Sequence, residues 1–136
     1  MRIDRSPPAI LSLLECQANC PEIFSQLEVL VDSGIRRGSD VLKCLCLGAT
    51  AVGLGRPFLF ASNYGQEGVE HLIDIVKTEL ETAMALVGIT DIDQCHPGLV
   101  STLELDPLVS RGEEHPYARG RRLGHYRKYR EGRAKL

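Results

Sequence analysis

Residues 31–69 read VDSGIRRGSDVLKCLCLGATAVGLGRPFLFASNYGQEGV, and the order of apolar runs and glycine turns in this stretch decides the fold class. The run 27–31 is short, partly β-branched and closed by the turn Asp32-Ser33-Gly34, which is typical of a strand. Residues 51–54 form a second apolar run that ends at Gly55. A strand that is apolar at every position is typical of a parallel sheet covered on both faces. We therefore predict two parallel strands.

Helical patterns lie before, between and after these strands. The predicted helices are one that starts at Ser6 and Pro7, one from Ser39 to Gly48, a short one from Pro57 to Ala61, and a long amphipathic one from Val69 to Val87 that Gly88 ends. Helix, strand, helix, strand and helix joined by short connections indicate the βα units of an α/β protein. Two strands do not complete a sheet, so we expect uncovered edges and a tendency to associate.

Each predicted strand is followed by a turn that contains glycine and arginine. A phosphate site needs accessible backbone amides, the positive end of a helix dipole, and guanidinium groups. In (β/α)₈ barrels, such a site lies in the loops after the last two strands. The candidate cofactor-binding residues are Asp32, Ser33, Gly34, Ile35, Arg36, Gly55 and Arg56. Taken singly, each favours an ordinary solvated turn, and only their recurrence at two successive strand ends favours phosphate binding.

Cysteine usage indicates neither a disulfide framework nor a metal site. The five cysteines are Cys16, Cys20, Cys44, Cys46 and Cys95. Cys16 and Cys20 have the i, i+4 spacing of metal ligands on a helix, but no second pair of suitably spaced ligands accompanies them. We predict five reduced thiols, no metal, and small partly buried side chains at these positions.

Charge divides the chain into an acidic body and a basic tail. Up to position 118 there are 8 basic and 17 acidic residues, a net charge of −9, whereas residues 119–136 carry 8 basic residues and one acidic residue, a net charge of +7. Like charge at this density predicts a disordered segment. Tyr126 and Tyr129 among the cations suggest nucleic-acid binding as a hypothesis. A solvated extension that binds polyanions only non-specifically is the favoured alternative.

Beyond these patterns, residues 31–69 resemble the end of the FMN-dependent α-hydroxy-acid dehydrogenase family, which includes glycolate oxidase and the lactate-oxidising flavocytochromes. The resemblance extends over about residues 2–98, and HPGLV (96–100) and EEHPYAR (113–119) are similar to the C-terminal strap of fungal-type members. Inosine monophosphate dehydrogenase shares the glycine and arginine pattern, but the continuation PFLFA and YGQEGV favours the hydroxy-acid family.

The resemblance implies an FMN cofactor bound by the phosphate and ribityl chain at Asp32–Arg36 and by the phosphate at Gly55-Arg56. It also implies a fold: the last two βα units of a TIM (β/α)₈ barrel with an extended C-terminal tail. The implied domains are a partial barrel over residues 1–96, a strap over 97–118 and the basic tail over 119–136.

Two departures from the family pattern affect the expected activity. The family reads Asp-Gly-Gly where this chain has Asp32-Ser33-Gly34. The family's catalytic histidine and arginine lie in a His-Gly-Gly-Arg motif, which would precede the segment that begins at Ile3. No histidine here takes over as the base, because His71, His96, His115 and His125 all have the character of surface residues. We therefore expect no catalytic residue in this chain and no turnover by it alone.

Three functions remain open. The favoured one is an FMN-binding segment of an oxidoreductase that acts on a small 2-hydroxy acid of the L-lactate or glycolate type. The alternative is a non-catalytic flavin-binding or barrel-completing module, partnered by a complementing fragment or by copies of itself. Nucleic-acid binding through the tail ranks third.

The expected location is intracellular. No apolar stretch approaches the ~18 residues of a membrane helix, and the N-terminus does not have the pattern of a secretory signal. The last three residues, Ala134-Lys135-Leu136, are a variant of the peroxisomal address Ser-Lys-Leu. By resemblance, peroxisome and mitochondrion are the candidate compartments, with the cytoplasm otherwise.

Overall fold

The computed structural model describes residues 7–112. Some predictions fall outside this range: the helix start at Ser6, the two C-terminal histidines His115 and His125, and the basic segment 119–136 with its disorder, nucleic-acid and targeting hypotheses. They remain predictions, as do the domain boundaries at residues 96 and 118.

The described chain is an α/β unit with two short strands and helices before, between and after them. The helices are α1 (Ala9–Asn19), α2 (Ile23–Gln26), α3 (Gly38–Cys46), α4 (Arg56–Ala61) and α5 (Gly65–Val87), and the strands are β1 (Leu30–Val31) and β2 (Ala51–Val52). Single 3₁₀ turns span Ser62–Tyr64, Ile92–Gln94, Pro97–Leu99 and Asp106–Leu108. The predicted alternation of helices and strands is therefore confirmed, whereas several element boundaries differ.

The two strands pair in parallel, as predicted, with Leu30 opposite Ala51 and Val31 opposite Val52. The pairing is shorter than the predicted runs. One reason is that the amide of Val29 donates to the side-chain hydroxyl of Thr50 at 3.0 Å. This bond replaces a backbone bond between the strands at the start of the pairing. The prediction that both faces of the second strand are covered is wrong, because Ala51 is exposed and Val52 is only half-buried.

Helix α1 begins at Ala9, later than the predicted start at Pro7, because the carbonyl of Pro8 is the first acceptor. It accepts from the amides of Leu11 at 2.9 Å and Ser12 at 3.2 Å. At the other end, the Asn19 side chain donates to the Ser110 carbonyl and accepts from the Gly112 amide, both at 2.8 Å. The end of the described chain is thereby fixed to α1.

Helix α3 lies between two hydrophobic clusters and contributes to both. The first cluster joins it to α1, β1 and the distal strap, and contains Leu13, Leu14, Val31, Ile35, Cys44, Leu47, Ala49 and Val109. The second cluster joins it to α5 and contains Leu42, Cys46, Met84 and Ile89. Leu47, Cys44 and Cys46 are the least exposed hydrophobic residues of the described chain, at 1% each. All five cysteines are free thiols.

Left-handed glycines end the helices where the sequence predicts. Gly48 has a φ of +96° just after α3, and Gly88 has a φ of +81° at the end of α5. Helix α5 starts at Gly65, four residues before the predicted Val69. Among residues 7–112, no helix is long and apolar enough to cross a membrane.

Candidate functional site

The two predicted turns meet at one cleft beside the carboxyl ends of β1 and β2. In the parallel register, Val31 lies opposite Val52, so Asp32 and Gly53 follow at neighbouring positions. The Gly53 amide donates to the Val31 carbonyl at 2.8 Å. A Cβ at Gly53 would lie 3.1 Å from the Asp32 Cβ, which makes glycine the residue that permits this close approach. The sheet thus brings together loops that are distant in sequence.

This strand-end cleft has a volume of about 820 Å³. Its lining residues are Asp32, Ser33, Gly34, Ile35, Arg36, Gly53, Leu54, Gly55, Arg56, Pro57 and Phe60. All seven candidate residues are among them. Pro57 and Phe60 belong to the short helix predicted after the second turn, which is the candidate cap of such a phosphate site. Gly53 and Leu54 were not predicted for the site, although the glycine within an apolar run was a visible signal.

The first loop has an uncommon backbone. Ser33 has a φ of +77° and Gly34 a φ of +90°, and both residues are exposed. Serine pays a steric cost in this left-handed region, since its Cβ approaches the following carbonyl oxygen. Its hydroxyl donates to Oδ1 of Asp32 at 3.3 Å. The structure therefore places the departure from the family pattern at a position that favours glycine.

We expect Ser33→Gly to stabilise the chain. Relief of the left-handed strain is worth about 1–2 kcal/mol, and the added freedom of the unfolded chain offsets roughly half of that. The result is a melting temperature higher by about 2–5 °C in a circular dichroism melt. As a matched control, Ser39→Gly lies inside α3 and is expected to lower the melting temperature. Equal or lower stability of Ser33→Gly would contradict the assigned strain.

Three amides at the start of α3, those of Arg36, Arg37 and Gly38, already have acceptors. The Asp40 carboxylate accepts from the amides of Arg36 at 3.1 Å and Arg37 at 3.2 Å. Glu79 on α5 accepts from the Gly38 amide at 2.8 Å. Two carboxylates of the protein therefore occupy the amides of Arg36, Arg37 and Gly38, so these three amides are not free for a phosphate.

The loop amides differ from those of the helix. Within residues 7–112, the amides of Gly34, Ile35 and Gly55 donate to no protein acceptor. An added Cβ at Gly34 or Gly55 would meet no atom within 4 Å. The space beside these two glycines is open, so a ligand can approach the backbone there. Donors for an anion are thus supplied by the two loops.

Two arginines with different partners follow the first loop. Arg37 turns to α5 and forms an ion pair with Glu79 at 3.7 Å. Arg36 and Arg56 line the strand-end cleft, are exposed, and form no ion pair with any residue of 7–112. Arg36 is among the predicted site residues and Arg37 is not, and the structure gives the two side chains different surroundings. The structure leaves one guanidinium from each loop available for a charge-assisted bond.

The cleft also contains an acceptor and an apolar wall. Asp32 supplies a carboxylate, which accepts hydrogen bonds from hydroxyl groups, while Leu54 and Phe60 supply apolar surface. Arginines and free amides suit the phosphate, and the carboxylate suits hydroxyl groups carried by the same ligand. The residues present therefore fit a phosphorylated, hydroxyl-bearing ligand such as FMN.

A second groove lies between α3 and α5 and has a volume of about 550 Å³. Its lining includes Arg37 and Glu79, which pair with each other, and the largely apolar residues Ile75, Ala83 and Leu86. His71 also lines this groove and is exposed, as predicted. His96 is exposed and does not line the strand-end cleft. Neither described histidine reaches the cleft.

Comparison with known proteins identifies the family of this chain. Residues 2–102 match the family described as FMN-dependent dehydrogenase. L-lactate dehydrogenase (cytochrome) from Saccharomyces cerevisiae is 54% identical over 87 residues, which are 63% of this chain and 14% of that protein. Mouse 2-hydroxyacid oxidase 2 is 39% identical over 100 residues, which are 73% of this chain and 28% of that protein. The chain spans less than a third of the length of either relative.

Solved structures give the same result for the backbone. A flavocytochrome b2 double mutant with pyruvate bound superimposes with a TM-score of 0.73 at 43% identity, covering 82% of this chain and 29% of that one. A mandelate oxidase variant superimposes with a TM-score of 0.62 at 38% identity, covering 69% of this chain and 28% of that one. Both structures therefore resemble this chain in sequence as well as in backbone fold.

Proposed function

Since the chain belongs to the FMN-dependent dehydrogenase family, we propose that its strand-end cleft holds the phosphate end of FMN. The observation that carries the proposal is the convergence at one cleft of two guanidiniums and three loop amides that have no partner among residues 7–112. FMN, when bound, supplies a flavin ring that accepts the electrons of substrate oxidation. This chain's residues supply anchoring and orientation.

Each group in the cleft has a role in that anchoring. Arg36 and Arg56 approach the phosphate from the two loops with charge-assisted hydrogen bonds. The amides of Gly34 and Gly55 donate to the remaining oxygens, because no side chain blocks them. The Asp32 carboxylate accepts from hydroxyls of the ribityl chain. Contacts with both the phosphate and the ribityl hydroxyls would set the position of the flavin ring attached to the ribityl chain.

The family is one of 2-hydroxy-acid dehydrogenases and oxidases, and its fold is a (β/α)₈ barrel. We propose that this chain supplies the last two βα units of such a barrel, and thus a part of an oxidoreductase for a small 2-hydroxy acid. No histidine is among the residues that line the described cleft, and its carboxylate, Asp32, is assigned here to the hydroxyls of the ligand. On this proposal the chain binds flavin without turning over substrate by itself.

The test is a flavin titration that compares FMN with riboflavin. The two ligands differ only in the phosphate, so the loop amides and arginines distinguish them. We expect saturable FMN binding, followed by flavin fluorescence, and riboflavin binding at least about 100-fold weaker. Equal affinity for the two flavins, or no binding of either, would overturn the proposal of a phosphate site.

A second candidate function is completion of a barrel together with another polypeptide. Within residues 7–112, β1 and β2 pair only with each other, so each strand has a free edge. Large apolar side chains are also exposed, at 66–83% in the most extreme cases: Leu27, Leu30, Leu59, Phe60, Tyr64, Leu86 and Leu103. Free edges and exposed apolar groups favour association with further strands.

Co-expression tests this second candidate. A fragment of a relative that supplies the earlier strands is produced together with this chain. The chain produced alone is the reference. The expected result is co-purification, bound flavin, and hydroxy-acid oxidation that neither part shows alone. Separate elution of the two parts, without gain of flavin, would count against barrel completion while leaving the phosphate site open.

A further inference from the structure

Glu79, on α5, contacts the end of the first loop from outside that loop. Its Oε2 accepts from the Gly38 amide at 2.8 Å, and its Oε1 lies 3.7 Å from the Arg37 guanidinium. The Glu79 side chain is 34% exposed, whereas that of Arg37 is 74% exposed. An exposed ion pair contributes little, while a hydrogen bond to a charged acceptor contributes more. The bond from the Gly38 amide is therefore the stronger of the two contacts.

The other side-chain bonds at this end of the loop are local. Asp40 accepts from the amides of Arg36 and Arg37, but it belongs to α3, the helix that directly follows the loop. In the described part of the chain, the side-chain hydrogen bonds and ion pairs that connect this loop or Gly38 to any element beyond α3 are those with Glu79. Glu79 therefore ties the end of the first loop to α5.

Helix α5 is also linked to the second loop. Arg56 is the first residue of α4, and the 3₁₀ turn Ser62–Tyr64 joins α4 to α5. A Cβ at Gly68 of α5 would lie 2.6 Å from the Tyr64 Cβ, and closer still to the Ala61 carbonyl oxygen. The end of α4 is thus packed closely against the start of α5. One helix supports both of the loops that carry the arginines of the strand-end cleft.

We propose that Glu79 is a positioning residue for the phosphate site of the strand-end cleft. Glu79 lines the α3/α5 groove and not the cleft, so it acts through the Gly38 amide and the loop backbone rather than by contact with a ligand. By fixing the loop against α5, it sets the place of Arg36 relative to Arg56, so that both guanidiniums reach one phosphate. The inference rests on the proposed flavin site.

Two conservative variants separate the reach of this side chain from its charge. Glu79→Asp keeps the charge but is shorter by one methylene, so its carboxylate falls short of the Gly38 amide. Glu79→Gln keeps the length and an acceptor oxygen but loses the charge that attracts Arg37. Positioning predicts weaker FMN binding for Glu79→Asp only. A purely electrostatic influence predicts no change for Glu79→Asp and tighter FMN binding for Glu79→Gln, because only the latter removes a negative charge.

Flavin titrations of the full-length chain measure the effect. We expect the FMN affinity to fall at least about fivefold in Glu79→Asp and to change less than about twofold in Glu79→Gln. The riboflavin affinity is expected to stay unchanged in both variants, whereas general loss of structure would weaken both flavins alike. Glu81→Asp is the matched control, because Glu81 is exposed on the same helix and pairs with Lys77 at 4.0 Å. It is expected to leave both affinities unchanged.

Amide hydrogen exchange of the chain without flavin gives a second readout. The amides of Arg36 and Arg37 bond Asp40 rather than Glu79, so they report how firmly the loop as a whole is held. We expect them to exchange at least about fivefold faster in Glu79→Asp, and at the original rate in Glu79→Gln and Glu81→Asp.

The two readouts distinguish failure of this inference from failure of the flavin site. Original exchange rates in Glu79→Asp, or equal loss of FMN affinity in Glu79→Asp and Glu79→Gln, would overturn the role of Glu79 even where the unchanged chain binds FMN. Absence of FMN binding to the unchanged chain would overturn the phosphate site itself, and exchange would still decide whether Glu79 holds the loop.

Discussion

The double variant Arg36→Ala, Arg56→Ala is expected to lose FMN binding while it keeps its fold. Both guanidiniums line the strand-end cleft and have no ion-pair partner among residues 7–112, so their removal breaks no described contact. A hydrogen bond to a charged group contributes about 1.5–3 kcal/mol, and two such bonds correspond to a loss of at least about 100-fold in affinity. Riboflavin affinity is expected to stay unchanged, because riboflavin lacks the phosphate.

Arg37→Ala is the matched control for this titration. It removes a guanidinium one position away, but this one pairs with Glu79 and faces the α3/α5 groove. FMN affinity is expected to change less than about threefold. An exposed ion pair contributes little to stability, and the Arg37–Glu79 pair does not line the strand-end cleft. If Arg37→Ala weakened FMN binding as much as the double variant, general electrostatic attraction would replace the two assigned contacts as the explanation.

Gly38→Ala is expected to unfold the chain, or nearly so. The first residue of α3 lies directly on the backbone of α5, and a Cβ at Gly38 would lie 2.6 Å from both the Glu79 carbonyl carbon and the Val76 carbonyl oxygen, and closer still to the Leu80 nitrogen. These atoms belong to a helix backbone and cannot turn aside as a side chain can. Overpacking costs about 1–3 kcal/mol in general, and a clash with backbone atoms of α5 places this variant at or above the upper end of that range.

A urea titration followed by circular dichroism measures that cost. Separation of the helices also weakens the hydrogen bond from the Gly38 amide to Glu79, which adds to the loss. Ser39→Ala is the neighbouring control, and its stability is expected to stay within about 0.5 kcal/mol of the unchanged chain. A Gly38→Ala variant with the stability of this control would show that α3 and α5 can move apart without cost.

Local signals predicted those parts of the fold that depend on neighbouring residues. Gly48 and Gly88 end their helices because glycine tolerates a positive φ, and the sequence alone indicates such a stop. Strand length depended on a contact across the sheet, the bond from the Val29 amide to the Thr50 hydroxyl. No pattern within residues 27–31 contains that information, so the strands were predicted too long.

The candidate site also has features that the sequence predicts and features that depend on distant contacts. The composition of the two turns predicted the seven candidate residues. The parallel register of the strands explains why all seven line one cleft. The ion pair that holds Arg37 away from that cleft is made with Glu79, a residue more than 40 positions away on α5. The role of Gly38 depends on the same helix. Sequence periodicity does not report the approach of one helix to another, and both features needed the assembled structure.

The carboxylates of Asp40 and Glu79 on the first turn of α3 have a consequence for how the site is made. Because carboxylates of the protein already accept from the amides of Arg36, Arg37 and Gly38, the start of α3 needs no anion to satisfy these three donors. Assembly of the scaffold and capture of the ligand are then separate events. A newly synthesised chain could present a formed docking place before any flavin is at hand, and changes in the loops could alter ligand choice with little effect on helix formation.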